Sequence, residues 1–220
     1  DSASTHTEDY GTLSIQSDGS YTYVVDAAAV NALQAGENAS DTYTLLVKDP
    51  IGDSDTTTIT FNVTGENDTP IVDTTYSHTI MDTSGKDSFA DITGNVSAAD
   101  SDDATLTWSI DSTSTHTEDY GTLSIQADGS YTYVVDAAAV NALQAGENAS
   151  DTYTLLVKDP IGDSDTTTIT FNVTGDNDAP IVDNTYSHTI MDTSGKDTFA
   201  DITGSVSAAD SDDATLTWSI

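Results

Sequence analysis

The side chains with the clearest chemistry in this chain are oxygen donors crowded into short stretches. Thr64-Gly65-Glu66-Asn67-Asp68-Thr69-Pro70 sets two acids and an amide beside a proline, and it returns as Thr174-Gly175-Asp176-Asn177-Asp178-Ala179-Pro180. A second stretch, Asp100-Ser101-Asp102, returns as Asp210-Ser211-Asp212. Two aspartates one residue apart on an extended loop point the same way and are ready to share one cation. A third oxygen source is Asp159, at the start of Asp159-Pro160-Ile161-Gly162. Carboxylate, amide and backbone oxygens gathered at one junction suit a hard cation, calcium above all.

Composition points the same way. Among 220 residues there are 4 Lys+Arg against 38 Asp+Glu, a formal net charge of −34. That balance excludes a basic patch for nucleic acid or anionic membrane. It also makes a compact state self-repelling unless counter-ions are taken up. There is no cysteine, so neither disulfides nor thiolate metal sites contribute. No signal peptide is visible at the start, and no apolar run approaches membrane-spanning length.

The elements that must position these oxygens are strands, and they are repeated. Residues 1–110 and 111–220 align without a gap and differ at seven positions: Ala3/Thr113, Ser17/Ala127, Glu66/Asp176, Thr69/Ala179, Thr74/Asn184, Ser88/Thr198 and Asn95/Ser205. Such a period is too long for a solenoid repeat and fits one small domain, and near-identity points to a longer array. With the acidic linkers as boundaries, residues 1–66 are the C-terminal strands of one repeat. Residues 67–176 are a complete repeat, and 177–220 are the N-terminal strands of the next.

Within the complete unit, seven strands are expected at Ile71–Met81, Phe89–Ser97, Thr105–Ile110, Gly121–Gln126, Tyr131–Val135, Thr152–Lys158 and Thr166–Val173. Leu106, Trp108 and Ile110 alternate with Thr105, Thr107 and Ser109, the period-two pattern of a half-buried strand. Asp128-Gly129 between two alternating runs is a hairpin signal, because the turn needs positive φ. Asp136–Gly146 reads as one or two helical turns crossing between sheets. The pattern predicts an all-β fold of tandem seven-stranded Greek-key β-sandwiches, immunoglobulin-like. Trp108, Leu123, Tyr133, Leu155, Val157 and Phe171 form the expected core. In such a sandwich the loops after the second and sixth strands lie at the end where the chain enters. Asp100, Asp102 and Asp159 are therefore expected to meet Glu66, Asn67 and Asp68.

The order Val96-Ser97-Ala98-Ala99-Asp100-Ser101-Asp102, Leu106-Thr107-Trp108-Ser109-Ile110, Val157-Lys158-Asp159-Pro160-Ile161-Gly162 and Asn177-Asp178-Ala179-Pro180 resembles a cadherin-type calcium-binding repeat. Tyr120-Gly121-Thr122-Leu123, Asp128-Gly129-Ser130-Tyr131-Thr132-Tyr133 and Leu143-Gln144-Ala145-Gly146-Glu147 are closer still to the VCBS-type repeats of giant RTX- and BapA-type bacterial surface adhesins. The resemblance implies calcium between consecutive domains. Its ligands would be Glu66, Asn67, Asp68, Asp100, Asp102 and Asp159, with Asp82 ending the first strand and Glu147 before the sixth. The copies Glu37, Asp49, Asp176, Asn177, Asp178, Asp210 and Asp212 follow by the same matching. Where cadherins carry Asp-Arg-Glu, this chain has Gln144-Ala145-Gly146-Glu147, so the number of ions per junction stays open.

The resemblance implies a non-enzymatic extender in the stalk of a large secreted adhesin. It would lie on the bacterial surface after type I secretion, stiffened by calcium, and would serve adhesion and biofilm formation. The alternative is that each sandwich binds a glycan or a protein itself. No nucleophile–base set, P-loop or Cys/His pair is present. His6, His78, His116 and His188 are one motif repeated, with no second histidine at ligand spacing, and read as strand or loop residues. Trp108 and Trp218 read as core. The partners expected are neighbouring repeats of the same chain. The two incomplete ends are further expected to complete each other head to tail between molecules, because open strand edges and an uncovered apolar face are unfavourable.

Overall fold

The computed structural model describes residues 4–72, 74–182 and 184–220. The first five strands are β1 (Ser4–Thr7), β2 (Gly11–Ile15), β3 (Tyr21–Val25), β4 (Asn38–Lys48) and β5 (Ser54–Thr64), with the short helix α1 (Ala27–Asn31) after β3. Seven more follow: β6 (Tyr76–Met81), β7 (Ile92–Asn95), β8 (Thr107–Ile110), β9 (Gly121–Ile125), β10 (Ser130–Val135), β11 (Asn148–Lys158) and β12 (Ser164–Thr174), with the helical turn α2 (Ala137–Val140) before β11.

Strands β6 to β12 build two sheets, ordered β6-β12-β11-β8 and β7-β10-β9. All pairs are antiparallel except β6 on β12, which is parallel. Thr, Tyr, Val and Ile alternate along each strand, so every second side chain turns inward. Trp108, Leu123, Tyr133, Leu155, Val157 and Phe171 all lie in the core between the sheets, joined by Ile80, Tyr153, Ile169 and Val173. Tyr133 stacks on Phe171 with ring centroids 3.7 Å apart, and Tyr153 meets Phe171 edge-on at 6.3 Å. The expected all-β sandwich and its core are what the structure contains.

The first expected strand, Ile71–Met81, starts later, at Tyr76; Asp73 within it lies outside the described residues. Ile71 makes only an isolated bridge to Ala99, Val72 N donates to Asp165 Oδ2 at 2.8 Å, and Thr167 Oγ1 donates to Thr74 O at 2.6 Å. One bridge at Ile71 and two side-chain hydrogen bonds, rather than a continuous ladder, hold residues 71, 72 and 74. The β9–β10 turn contains Gly129 at φ +86, and a Cβ there would come within 2.5 Å of Val96 O and 3.1 Å of Trp108 Cδ1. Glycine is required twice over, by conformation and by space.

A buried polar cluster runs through this core. Asp151 Oδ1 accepts from Asp119 N at 2.9 Å, and its Oδ2 accepts from Tyr120 N at 3.0 Å and Tyr133 Oη at 2.6 Å. Tyr153 Oη donates to Gly121 O at 3.2 Å. Burial, reinforced by the Asp151 carboxylate, pushes the Tyr133 phenol far above its ordinary 10. Burial likewise pushes Tyr153 up to about 12. A raised folded-state pKa contributes stability that is complete below pH 10 and is lost as the pH climbs towards the folded values. The expected result is a loss of stability beginning above pH 10. In an ultraviolet titration Tyr153 ionises near pH 12 and Tyr133 after it. Uniform ionisation of all ten tyrosines at pH 10 would contradict this packing.

Residues 4–66 repeat only part of the plan. They form the sheet β1-β2-β3 and the two-stranded sheet β4-β5. Beyond residue 182 the described residues contain no strand, only the bridge Ile181↔Ala209. Strand β1 is not repeated in the second copy. There Thr117 follows β8 and bonds to β11 through Thr152, whereas Ser4–Thr7 folds back onto the free edge of β2.

Candidate metal centre

Three segments meet where the chain enters the central sandwich. Asn67 Nδ2 donates to Asp159 Oδ2 and to Asp163 Oδ2, each at 2.8 Å, and Asp68 N donates to Asp102 Oδ1 at 3.3 Å. The loop after β7 is wound on itself, with Asp102 N and Asp103 N both donating to Asp100 Oδ1 at 3.2 Å. Asp159 Oδ1 accepts from the backbone N–H of Ile161, Gly162 and Asp163, which forms the turn between β11 and β12. The Asn67 amide and these backbone donors hold the Asp159 carboxyl below its usual range. Desolvation, then the neighbouring Asp100, holds Asp102 and Asp103 above it.

The second linker shows a related arrangement. Asp82, at the end of β6, is buried; its Oδ2 accepts from Asp176 N at 3.4 Å, and burial raises its pKa, with Asp178 adding to the effect. Asp178 is buried, and Asn177 Nδ2 donates to Asp178 O at 2.6 Å. Asp210 Oδ1 accepts from Asp212 N and Asp213 N, each at 3.3 Å. The two shift in opposite directions: the facing Asp210 carboxyl, with burial, holds Asp212 above the usual carboxylate range, while Asp212 and the backbone N–H groups around it hold Asp210 below it.

Not every expected donor arrives. Glu66 and Asp176 are exposed. Glu147 Oε2 accepts from Gln144 N at 3.1 Å and Glu37 Oε2 from Gln34 N at 3.2 Å, so each acid closes its own turn. Asp49 Oδ1 accepts three backbone N–H groups of its own turn and is exposed. Two acids that the sequence reading passed over do reach the first junction: Asp163, on Asn67, and Asp165, on Val72 N. The signal was their place in the acid-rich turn Asp159–Asp165.

Among the described residues no three acidic or histidine side chains converge on one point at metal-ligand spacing. What the junctions do show is a set of oxygens without partners. Buried and unbonded are Asn67 Oδ1, Asp82 Oδ1, Asp100 Oδ2, Asp102 Oδ2, and both carboxylate oxygens of Asp178 and of Asp212. All are acceptors. Buried acceptors without a donor are costly, and buried carboxylate oxygens more so. A cation, or protons at low pH, would relieve them. The donor set of carboxylates and an amide fits a hard ion, with no soft ligand among them.

Residues 67–175 match the family model described as the bacterial cadherin-like domain. This stretch is a bacterial cadherin-like domain. The residues on either side repeat parts of its sequence. Cadherin-like domains of this kind are not enzymes. A curated relative, the "Calcium-binding lectin RapA2" of Rhizobium johnstonii, is 29% identical over 176 residues, covering 76% of this chain and 73% of its own. Two solved protocadherin structures overlap in part. One is PcdhgB3 EC1-4, at 14% identity, with 82% of this chain and 43% of that one covered and a TM-score of 0.42. The other is mouse PcdhgC3 EC1-3, at 12%, with 79% and 55% covered and a TM-score of 0.37. The chain thus spans less than half of the first of these. At such scores the overlap carries no weight, and the fold rests on the strand pairing and the family match. No helix among the described residues is long and apolar enough to cross a membrane.

Proposed function

We propose that this chain is a set of extender repeats from the stalk of a large secreted bacterial adhesin. Residues 67–176 are one repeat, 1–66 the end of the one before, and 177–220 the beginning of the next. Calcium held at the acidic linkers stiffens the array and projects a distal adhesive domain for surface attachment and biofilm formation. The location is extracellular, reached by type I secretion. The observation that carries this reading is the set of unpartnered buried oxygens, which come from Asn67, Asp82, Asp100, Asp102, Asp178 and Asp212 at the linkers and the loops facing them. The near-identical repeats and the net charge of −34 support it. Extracellular calcium modules have dissociation constants of roughly 10⁻⁴–10⁻³ M, so external calcium fills such sites and cytosolic calcium does not.

The test is a calcium titration followed by small-angle scattering and thermal melting. The expected result is a rise in melting temperature and a longer, better-defined maximum dimension. No change in either up to about 10 mM calcium, well above that affinity range, rejects the reading.

A second reading has one observation in its favour: the relative's name contains the word lectin. On that reading each sandwich takes a glycan directly. Calcium-dependent retention on a glycan array, abolished by substitutions of surface tyrosines, would select it. An inert array alongside calcium-dependent length selects the stalk.

A further inference from the structure

The turn between β11 and β12 brings more than Asp159 to the first linker. Two later acids of this acid-rich stretch clasp the linker on either side of the buried Pro70. Asn67 Nδ2 donates to Asp163 Oδ2, and Val72 N donates to Asp165 Oδ2, each at 2.8 Å. The turn is itself fixed: Asp163 N donates to Asp159 Oδ1 at 2.9 Å, and Thr166 N donates to Asp165 Oδ1 at 2.7 Å.

Asn67 has two amide hydrogens and three acceptors for them. These are Asp159 Oδ2 and Asp163 Oδ2 at 2.8 Å each, and Asp68 O at 2.9 Å. A side-chain amide carries its donors on one arm and its acceptor on the other. Turned over, this one would set its oxygen against two carboxylates. The acids of the turn therefore decide which arm faces them. The other arm, Asn67 Oδ1, is left buried and without a donor. Asp159 Oδ1 is taken by three backbone N–H groups, so Oδ2 is the oxygen that this residue has left for a cation. Asp163 Oδ2 and Asp68 O are two acceptors for two hydrogens, and they satisfy the amide with Asp159 Oδ2 free.

We propose that Asp163 is a positioning residue for calcium at the first linker. It binds no ion. It orients the Asn67 amide so that Oδ1 is presented as a ligand, and it spares Asp159 Oδ2 for the same ion. This role rests on the calcium reading above and adds to it a residue outside the ligand set. Outer-shell partners that orient a ligand typically cost about 10–100-fold in metal affinity when removed.

The test compares Asp163→Ala with Asp163→Asn in the full chain. Both remove the same charge, and only Asp163→Asn keeps an acceptor oxygen for Asn67. Asp163 is exposed, so neither change touches the core. Hydrogen exchange is read by mass on the peptide spanning residues 64–75. Glu66, Thr69 and Thr74 distinguish it from its copy, which has Asp176, Ala179 and Asn184. Followed against calcium concentration, protection of this peptide gives the affinity of the first linker alone. Asp163→Ala should weaken it by about 10–100-fold, and Asp163→Asn should stay close to wild type. A second readout needs no calcium. In EDTA, exchange around Asp68 should speed up in Asp163→Ala and not in Asp163→Asn. Equal weakening in both variants would make Asp163 a ligand or a simple charge, and overturns the proposal. Unchanged affinity in Asp163→Ala, or unchanged exchange in EDTA, overturns it too. A wild-type chain that takes up no calcium rejects the calcium reading and this role together. Normal wild-type uptake with an unaltered Asp163→Ala rejects the role of Asp163 alone.

Discussion

Asp151→Ala lowers the melting temperature of the central sandwich by about 12–24 °C. The carboxylate is buried and takes two backbone N–H groups and one phenol. Removing it leaves a buried phenol and two part-buried N–H groups without their acceptor, at about 1–3 kcal/mol each. Even the lower end of that range totals about 3 kcal/mol, and each kcal/mol moves the midpoint of a domain this size by about 4–8 °C. Asp151→Asn keeps the shape and one acceptor oxygen, so its loss should be smaller. The internal control is Asp41→Ala. Asp41 makes the same kind of contacts, to Tyr10 N and Tyr23 Oη, but lies in the copy that lacks three strands. It should leave the main transition in place. An Asp151→Ala midpoint within about 3 °C of wild type, less than 1 kcal/mol, would show that the cluster does not hold the sandwich.

Asp178→Asn and Asp102→Asn remove most of the calcium-induced gain in melting temperature without lowering the calcium-free midpoint. Calcium bound only to the folded state adds about 2.7 kcal/mol per site at a hundredfold excess over its dissociation constant. On the same scale as above that is about 10–20 °C. Both Asp178 oxygens and Asp102 Oδ2 are buried without a donor. Replacing a carboxylate there with a neutral amide takes away repulsion and no hydrogen bond that these oxygens accept. Glu147→Gln is the contrast, because Glu147 closes its own turn by accepting from Gln144 N. It should retain more of the calcium gain. Loss of the gain in Glu147→Gln but not in Asp178→Asn would reverse the assignment of ligands. Differential scanning calorimetry with and without calcium reads all three.

Local pattern alone determined a good deal. Strict alternation in Leu106, Trp108 and Ile110, the Asp128-Gly129 turn and the doubled sequence are each readable within a few residues. They specify strands, a hairpin and a repeat because side-chain direction in a strand has a period of two. Order along the chain also brought Asn67 and Asp68 to Asp159 and Asp102, since the sandwich topology puts those loops at one end. Other features depend on what lies across the sheet. Asp151 shares the inward parity of Tyr153, Leu155 and Val157, yet only the tertiary structure shows that Tyr133 and two backbone N–H groups are placed there to donate to a buried acid. Glu37 and Glu147 have the composition of ligands, but their own turns claim them first. The clearest case is the repeat itself. Trp108 and Trp218 sit in the same local sequence, and one is core while the other is surface. Sequence carries the capacity to pair, and burial is a property of the partner strand: Trp108 is core because Val157 of β11 lies across from it.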